Sequence, residues 1–304
     1  METEKAQRQI SVIDPISPAV DRVRSLLFAP FSVGAWLVFG FAAWLAVLGR
    51  QEISSGVAFL AGKARRSGSM GDAARETQQW LVDTSTAVFT WIALGGVAFV
   101  FFGLLGLWLS SRGRFIFLDC VVRKRSRLGS AWREFATQAN SMFLFRLCLG
   151  GLGSAVFIPP LIVMVIQTYR LLEARQYQVD RLLIMVACVA VCALLLAGIL
   201  LIGKLTNDLV APIMYRRRIK ALAAWAQVAT LSTQSIGPII RYAVFQVCLQ
   251  MVAGTIGIVA VLATCGVAAI PYLGTLILLP VIVFDRAYSL YFLGQYGEEF
   301  RLLD

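Results

Sequence analysis

Three aspartates beside long apolar runs are the residues whose type and position are best suited to binding an ion, a proton or a polar ligand. Asp119 closes the run Phe-Ile-Phe-Leu-Asp, Asp208 follows a long apolar stretch, and Asp285 interrupts another. A charge at or inside a membrane is costly, and it is kept when it is paired or functional. The nearby cations are, in the same order, Arg114, Lys204 and Arg286.

These charges allow two interpretations. In the first, they form structural ion pairs that fix the ends of membrane-spanning helices. In the second, the three carboxylates converge on a polar vestibule at the cytoplasmic face and bind a cation, a proton or a lipid headgroup there.

Familiar catalytic chemistry has little support in this chain. The sequence contains no histidine, so the commonest general base and metal ligand is missing. It has neither a Gly-x-Ser-x-Gly elbow nor a P-loop. Cys188 and Cys192 share a helix face, but without His or carboxylate neighbours they form a poor metal site. We therefore expect no enzyme activity and no catalytic, cofactor-binding or metal-binding residues.

The composition indicates a membrane protein. Of 304 residues, 59% are hydrophobic and 15% are charged, and the mean hydropathy is +0.76. Soluble domains are about half apolar and a quarter charged, so the excess is too large for a protein core. The predicted fold is an all-α polytopic membrane bundle that forms one integral membrane domain over residues 1–304.

Apolar runs of roughly twenty residues, long enough to cross a bilayer as helices, predict six transmembrane helices. Pro159 and Pro160 predict a kink or a break in the third crossing. Gly95, Gly96, Gly103 and Gly106 in the second crossing predict close approach to neighbouring helices. The crossings cover approximately residues 31–48, 86–110, 143–168 and 182–202, with two more within 242–293.

The distribution of basic residues predicts the orientation. The net charge is +11, and most Lys and Arg residues lie on the side that holds the N-terminus, residues 111–140, residues 204–240 and the tail. The positive-inside rule assigns that side to the cytoplasm, so both termini are expected there and residues 50–84 form an extracytoplasmic loop. This charge needs no nucleic acid as partner, since no aromatic and basic binding motif accompanies it.

Two basic segments resemble each other in sequence. Residues 122–135 align without a gap with residues 215–228, so that their basic clusters and Ala-Trp pairs coincide. Each predicts an amphipathic helix on the membrane surface with its Trp at headgroup depth. Residues 18–39 have the same order of elements, which makes three interfacial helices and a parallel threefold repeat. The approximate copies are residues 13–118, 119–207 and 208–293.

The basic segments also predict a partner. Lys and Arg beside a bilayer are attracted to its anionic lipids, so we expect the lipid bilayer and its anionic headgroups to be bound there. Protein partners and oligomeric state are left open. The candidate lipid contacts are Arg123, Lys124, Arg125, Trp132, Arg216, Arg217, Arg218 and Trp225.

Four stretches resemble a family of uncharacterised bacterial six-span inner-membrane proteins, namely residues 14–21, 28–37, 114–119 and 289–297. The basic surface helices are also distantly similar to those of the membrane domain attached to some glycerophosphodiester phosphodiesterases. The resemblance implies a multi-pass protein of a bacterial-type inner membrane. It implies no activity and no site residues, and the phosphodiesterase catalytic domain is absent from this chain.

Two functions fit these features. The first is a lipid-interacting or organising membrane protein, which the basic surface helices favour. The alternative is a transporter or channel subunit for a small solute or ion, which the repeat, the paired prolines and the three aspartates favour. Most crossings carry hardly any polar residue, and this favours the first function.

Overall fold

Every regular element in the described part of the chain is helical. The computed structural model describes residues 10–48, 86–124, 128–174, 179–234 and 236–303. The loop predicted at residues 50–84 and the candidate lipid contact Arg125 lie outside the described residues.

The α-helices of the described ranges are numbered here in chain order, and π-helices follow two of them, at Arg24–Phe28 after the first and at Thr206–Val210 after the sixth. They are α1 (Ile16–Val23), α2 (Val33–Leu48), α3 (Thr86–Arg123), α4 (Leu128–Glu134), α5 (Ala136–Ala174), α6 (Val179–Leu205), α7 (Ala211–Arg217), α8 (Ala221–Gln234), α9 (Ile236–Ala263), α10 (Pro271–Ile277) and α11 (Leu279–Gly294).

Several helices are long and apolar enough to cross a membrane. The described residues hold four such helices: Ala93–Arg123, Ala136–Thr168, Leu183–Arg217 and Ile236–Ala263. The bent pair α10 and α11 makes a fifth if it forms a single span, and α2 is apolar but shorter. Six spans stay a prediction.

The helix break occurs at a different proline from the predicted pair. Pro159 and Pro160 lie inside α5, which continues through them. The chain bends by 67° between α10 and α11 instead. There Pro280 has no N–H to donate to the carbonyl of Leu276, four residues earlier. The indole Nε1 of Trp36 donates to that carbonyl at 3.3 Å, so α2 satisfies the group that the proline leaves free.

The chain divides into two compact units. One, which we call the packed unit, comprises residues 1–47, 109–145 and 201–304, and its described residues contain the hydrophobic core. The other comprises residues 48–108 and 146–200, and most of its described large apolar side chains are exposed. Exposed apolar surface of this extent is expected where helices face lipid.

Three helical segments are buried on every face in the packed unit: residues 115–121, 208–215 and 286–290. A helix that is buried all round needs neighbours on all sides. Short amphipathic helices supply some of them, and α1 packs along α11 in this way. The helices α1, α4 and α8 each bury a small side chain, respectively Ala19, Ala131 and Ala224.

The two basic segments follow the same backbone course. Each of the helices α3 and α7 ends immediately before a residue in the left-handed region. This residue is Lys124 at φ 50° after α3 and Arg218 at φ 57° after α7. A further short helix follows each of them. The gap-free alignment pairs Lys124 with Arg217, so the two segments differ by one residue in this turn. The threefold repeat stays a prediction.

Two helices approach each other closely at Gly113, a glycine outside the predicted set. A Cβ atom at Gly113 would lie 2.5 Å from the backbone carbonyl carbon of Leu45. The hydroxyl of Ser110, one turn earlier, donates to the carbonyl of Ala46 at 3.0 Å. At Gly103, by contrast, a Cβ would meet no described atom within 4 Å. Small residues thus bring the backbones of α2 and α3 into contact.

We expect Gly113→Ala to destabilise the detergent-solubilised protein by about 1–3 kcal/mol, because backbone atoms of α2 cannot yield to the added methyl. Thermal unfolding followed by intrinsic fluorescence measures this. Gly103→Ala is the matched control on the same helix and should leave the melting temperature unchanged. Equal melting temperatures for the two variants would contradict the close approach.

Candidate functional site

Lys204 lies between two of the predicted aspartates. Its Nζ is 3.0 Å from Oδ2 of Asp208 and 3.2 Å from both carboxylate oxygens of Asp285. Lys204 and Asp208 are four residues apart, a spacing that brings side chains together on a helix. The Asp208 side chain is only 2% exposed, and a buried carboxylate is tolerated when a cation pairs with it. One ammonium therefore pairs with carboxylates from two helices.

A polar stripe on α9 joins the same carboxylates. The Tyr242 hydroxyl donates to Oδ2 of Asp208 at 3.0 Å, and the Gln246 amide donates to that hydroxyl at 3.0 Å. The Gln250 amide donates to Oδ1 of Asp285 at 3.4 Å. We call Lys204, Asp208, Asp285 and this stripe the Lys204 cluster.

The stripe was not predicted, although the sequence carries a signal for it. Tyr242, Gln246 and Gln250 are each four residues apart in a helix whose other residues are apolar except Arg241 and Thr255. Polar side chains at this spacing occupy one face of a helix. Such a face inside a membrane span marks contact with other polar groups.

Asp208 lies in the π-helix Thr206–Val210. Such segments are rare and are frequent at functional sites. Arg286, which is 5% exposed, donates from Nη1 to the carbonyl of Asn207 at 2.5 Å. The Asn207 amide in turn donates to Oδ1 of Asp208 at 3.2 Å. Arg286 therefore supports the backbone that carries Asp208.

Asp285 and Arg286, which are adjacent in the sequence, take different hydrogen-bond partners. Asp285 pairs with Lys204, whereas Arg286 reaches the π-helix. Adjacent residues of a helix point about 100° apart and do not face each other, which is why the two charges take different partners.

Asp119 belongs to a different cluster. Its Oδ1 accepts a hydrogen bond from the Tyr215 hydroxyl at 2.7 Å and lies 3.1 Å from Nε of Arg123. The predicted partner was Arg114, which is half-buried. Arg123 is four residues from Asp119 and Arg114 is five, and the shorter spacing is the one that aligns side chains on a helix.

The three aspartates are not equivalent by position. Asp208 and Asp285 each lie nine residues before a helix end, at Arg217 and Gly294. Asp119 lies four residues before the end of α3. The structure thus joins Lys204, Asp208, Asp285 and Arg286 in one network, whereas Asp119 contacts Tyr215 and Arg123.

Glu134 forms ion pairs with arginines from both basic segments. Nη1 and Nη2 of Arg123 donate to its carboxylate at 3.1 and 3.0 Å, and Nη2 of Arg218 donates to it as well. These hydrogen bonds, above all those from Arg123, lower the pKa of Glu134 below its usual value. The carboxylate is therefore ionised at neutral pH. The Arg218 guanidinium also lies 4.0 Å from the ring centroid of Phe135.

Some of the predicted lipid contacts form ion pairs within the protein, and others are exposed. Arg217 donates to Glu299 at 2.6 Å, in addition to the pairs of Arg123 and Arg218 with Glu134. Lys124 and Arg216 are exposed. The two tryptophans, Trp132 and Trp225, are half-buried against the hydrophobic core. Lys220, outside the predicted set, is exposed as well.

The comparison with protein families now adds one finding. A family of unknown function, DUF7544, matches residues 10–279. The chain belongs to this family. The matched range includes Lys204, Asp208 and the polar stripe of α9, whereas Asp285 and Arg286 follow it. No curated protein and no solved structure matches the chain. Its function is therefore argued from the geometry of the site.

We expect Tyr242→Phe to lower the free energy of unfolding by about 1–3 kcal/mol, because it leaves the buried Asp208 carboxylate and the Gln246 amide with one partner fewer each. Tyr272→Phe is the matched control, since its hydroxyl donates to the Leu37 carbonyl at an exposed position. Thermal unfolding in detergent compares them. A Tyr242→Phe variant as stable as the Tyr272→Phe variant would contradict the role of this hydroxyl.

Proposed function

We propose that this chain is a lipid-interacting membrane protein whose packed unit binds anionic phospholipid headgroups at the cytoplasmic face of a bacterial-type inner membrane. The observation that carries the proposal is the exposure of Lys124, Arg216 and Lys220 at the ends of α3 and α7, beside arginines whose charges are already paired. Exposed cations near a bilayer are worth about 1 kcal/mol each in binding to anionic lipid.

The depth of the Lys204 cluster supports this arrangement. The crossing predicted at residues 182–202 ends two residues before Lys204 and uses the length that hydrocarbon requires, about twenty residues. The charges of the cluster then lie where the hydrocarbon ends. The buried segments 208–215 and 286–290 continue past this level, so the core of the packed unit is at headgroup depth and beyond, and its exposed cations face the lipid phosphates.

Removing exposed charge should weaken lipid binding more than removing paired charge. In the double variant Arg216→Gln/Lys220→Gln, we expect retention of phosphatidylglycerol in native mass spectrometry to fall about 30-fold, as about 2 kcal/mol of attraction is lost. Arg217→Gln is the matched control, because Glu299 already neutralises that arginine. Unchanged retention in the double variant, or an equal loss in the control, would count against the proposal.

A second candidate function is transport of a small solute or ion, with the aspartates forming an acidic vestibule on the cytoplasmic side. The Lys204 cluster favours it, because the polar stripe of α9 extends from Tyr242 to Gln250 along a span that is otherwise mostly apolar. Polar side chains inside a membrane span often mark an ion or proton path.

Proton flux tests this candidate. Proteoliposomes containing the wild-type protein and an entrapped pH-sensitive dye should dissipate a pH gradient faster than empty liposomes. Asp285→Asn should abolish the excess rate, since its carboxylate belongs to the cluster, whereas Asp119→Asn should retain it because Asp119 lies in the other network. Identical rates with and without protein would exclude a proton path, and equal loss in both variants would indicate structural ion pairs.

A further inference from the structure

A groove lies between α9 and α11 beside the Lys204 cluster. It has a volume of about 320 Å³, and its walls are apolar apart from Gln250 and Asp285. Val252 and Ile256, on the α9 side, are 57% and 43% exposed. The groove is thus reached from the face of α9 that carries exposed apolar side chains.

The polar and apolar residues of this groove are separated along its length. Gln250 and Asp285 are joined by a hydrogen bond of 3.4 Å across the two helices. From there the lining continues along α9 to Ile256 and along α11 back to Pro280. A site with one polar end and a long apolar remainder fits an amphiphile, whose chain is removed from water and whose headgroup stays at the polar end.

The charge at the polar end selects the headgroup. Asp285 is the charged residue of the groove lining, and its side chain is 25% exposed. It accepts hydrogen bonds from Lys204 on both oxygens and from Gln250 on Oδ1. A carboxylate has about four acceptor positions, so Oδ2 has capacity for a further donor.

We propose that this groove binds a phospholipid whose headgroup carries a primary ammonium, with the ammonium donating to Asp285 and one acyl chain lying between α9 and α11. An ammonium with N–H groups makes a charge-assisted hydrogen bond to a carboxylate, which a quaternary ammonium cannot make. This site goes beyond the proposed basic surface: it is formed by other residues, and its polar end presents a carboxylate acceptor instead of exposed cations.

The depth of the groove agrees with this occupant. Asp285 belongs to the cluster placed at the edge of the hydrocarbon, so a headgroup bound there is at its normal level. The apolar part then extends from Gln250 toward the end of α9 at Ala263, in the direction in which the acyl chain enters the bilayer.

Lipid retention provides the test. The full chain is reconstituted in nanodiscs with equal amounts of phosphatidylethanolamine, phosphatidylcholine and phosphatidylglycerol, and the lipids that stay bound are counted by native mass spectrometry. We expect phosphatidylethanolamine to be retained about tenfold over phosphatidylcholine, the effect of one charge-assisted hydrogen bond. Asp285→Asn should reduce this preference about tenfold.

A second pair of variants keeps the test decisive if Asp285→Asn fails to fold. Ala253→Phe fills the apolar part of the groove, and Met251→Phe places the same side chain on an exposed part of α9 that does not line it. Only Ala253→Phe should lose phosphatidylethanolamine. Equal retention of the ethanolamine and choline lipids by the wild type, or full retention by Ala253→Phe, would overturn the proposal.

The outcome is separable from that of the basic surface. Phosphatidylglycerol held by exposed cations should respond to Arg216→Gln/Lys220→Gln and not to Ala253→Phe. A wild-type protein without the ethanolamine preference, but with phosphatidylglycerol binding that falls in Arg216→Gln/Lys220→Gln, would therefore reject the groove alone. A wild-type protein with the preference, but with phosphatidylglycerol binding unchanged in that double variant, would reject the basic surface alone.

Discussion

The cost of placing a carboxylate away from water is the constraint on which the packed unit depends. Asp208 is almost fully buried, and Lys204 is the cation that neutralises it while also holding Asp285 of α11. Because this ammonium comes from α6 and the second carboxylate from the last helix, the pair fixes the rotation of both helices. The Tyr242 hydroxyl and the Gln250 amide of α9 donate to the same two carboxylates. A third helix is therefore held in the same polar network.

Local spacing explains what could be predicted about these charges and what could not. The pair of Lys204 and Asp208 follows from a spacing of four residues, and the same rule indicates Arg123 as the partner of Asp119. The partner of Asp285 comes from another helix, so its sequence neighbour Arg286 was misleading. No spacing rule reaches across 81 residues, and only the packing of helices brings such groups together.

The helical class and the long apolar spans follow from composition, but the positions of bends and close contacts depend on neighbours. The consecutive prolines of α5 leave that helix continuous, whereas Pro280 coincides with a bend and with a tryptophan that satisfies the freed carbonyl. In the same way, a Cβ at Gly95, Gly96 or Gly103 of α3 would meet no described atom within 4 Å, whereas α2 passes at backbone distance from Gly113. A proline permits a bend and a glycine permits a close contact, but the packing of neighbouring helices determines whether either occurs.

The π-helix before α7 has a geometric consequence for the whole rod that runs from Val179 to Arg217. A π-turn holds one residue more than an α-turn, so the side chains that follow it are rotated by about 100° relative to those before it. Side chains after the π-turn therefore point in directions that an unbroken α-helix from Val179 would not give them. The π-turn thus sets the rotation at which residues 211–215 pack into the core of the packed unit.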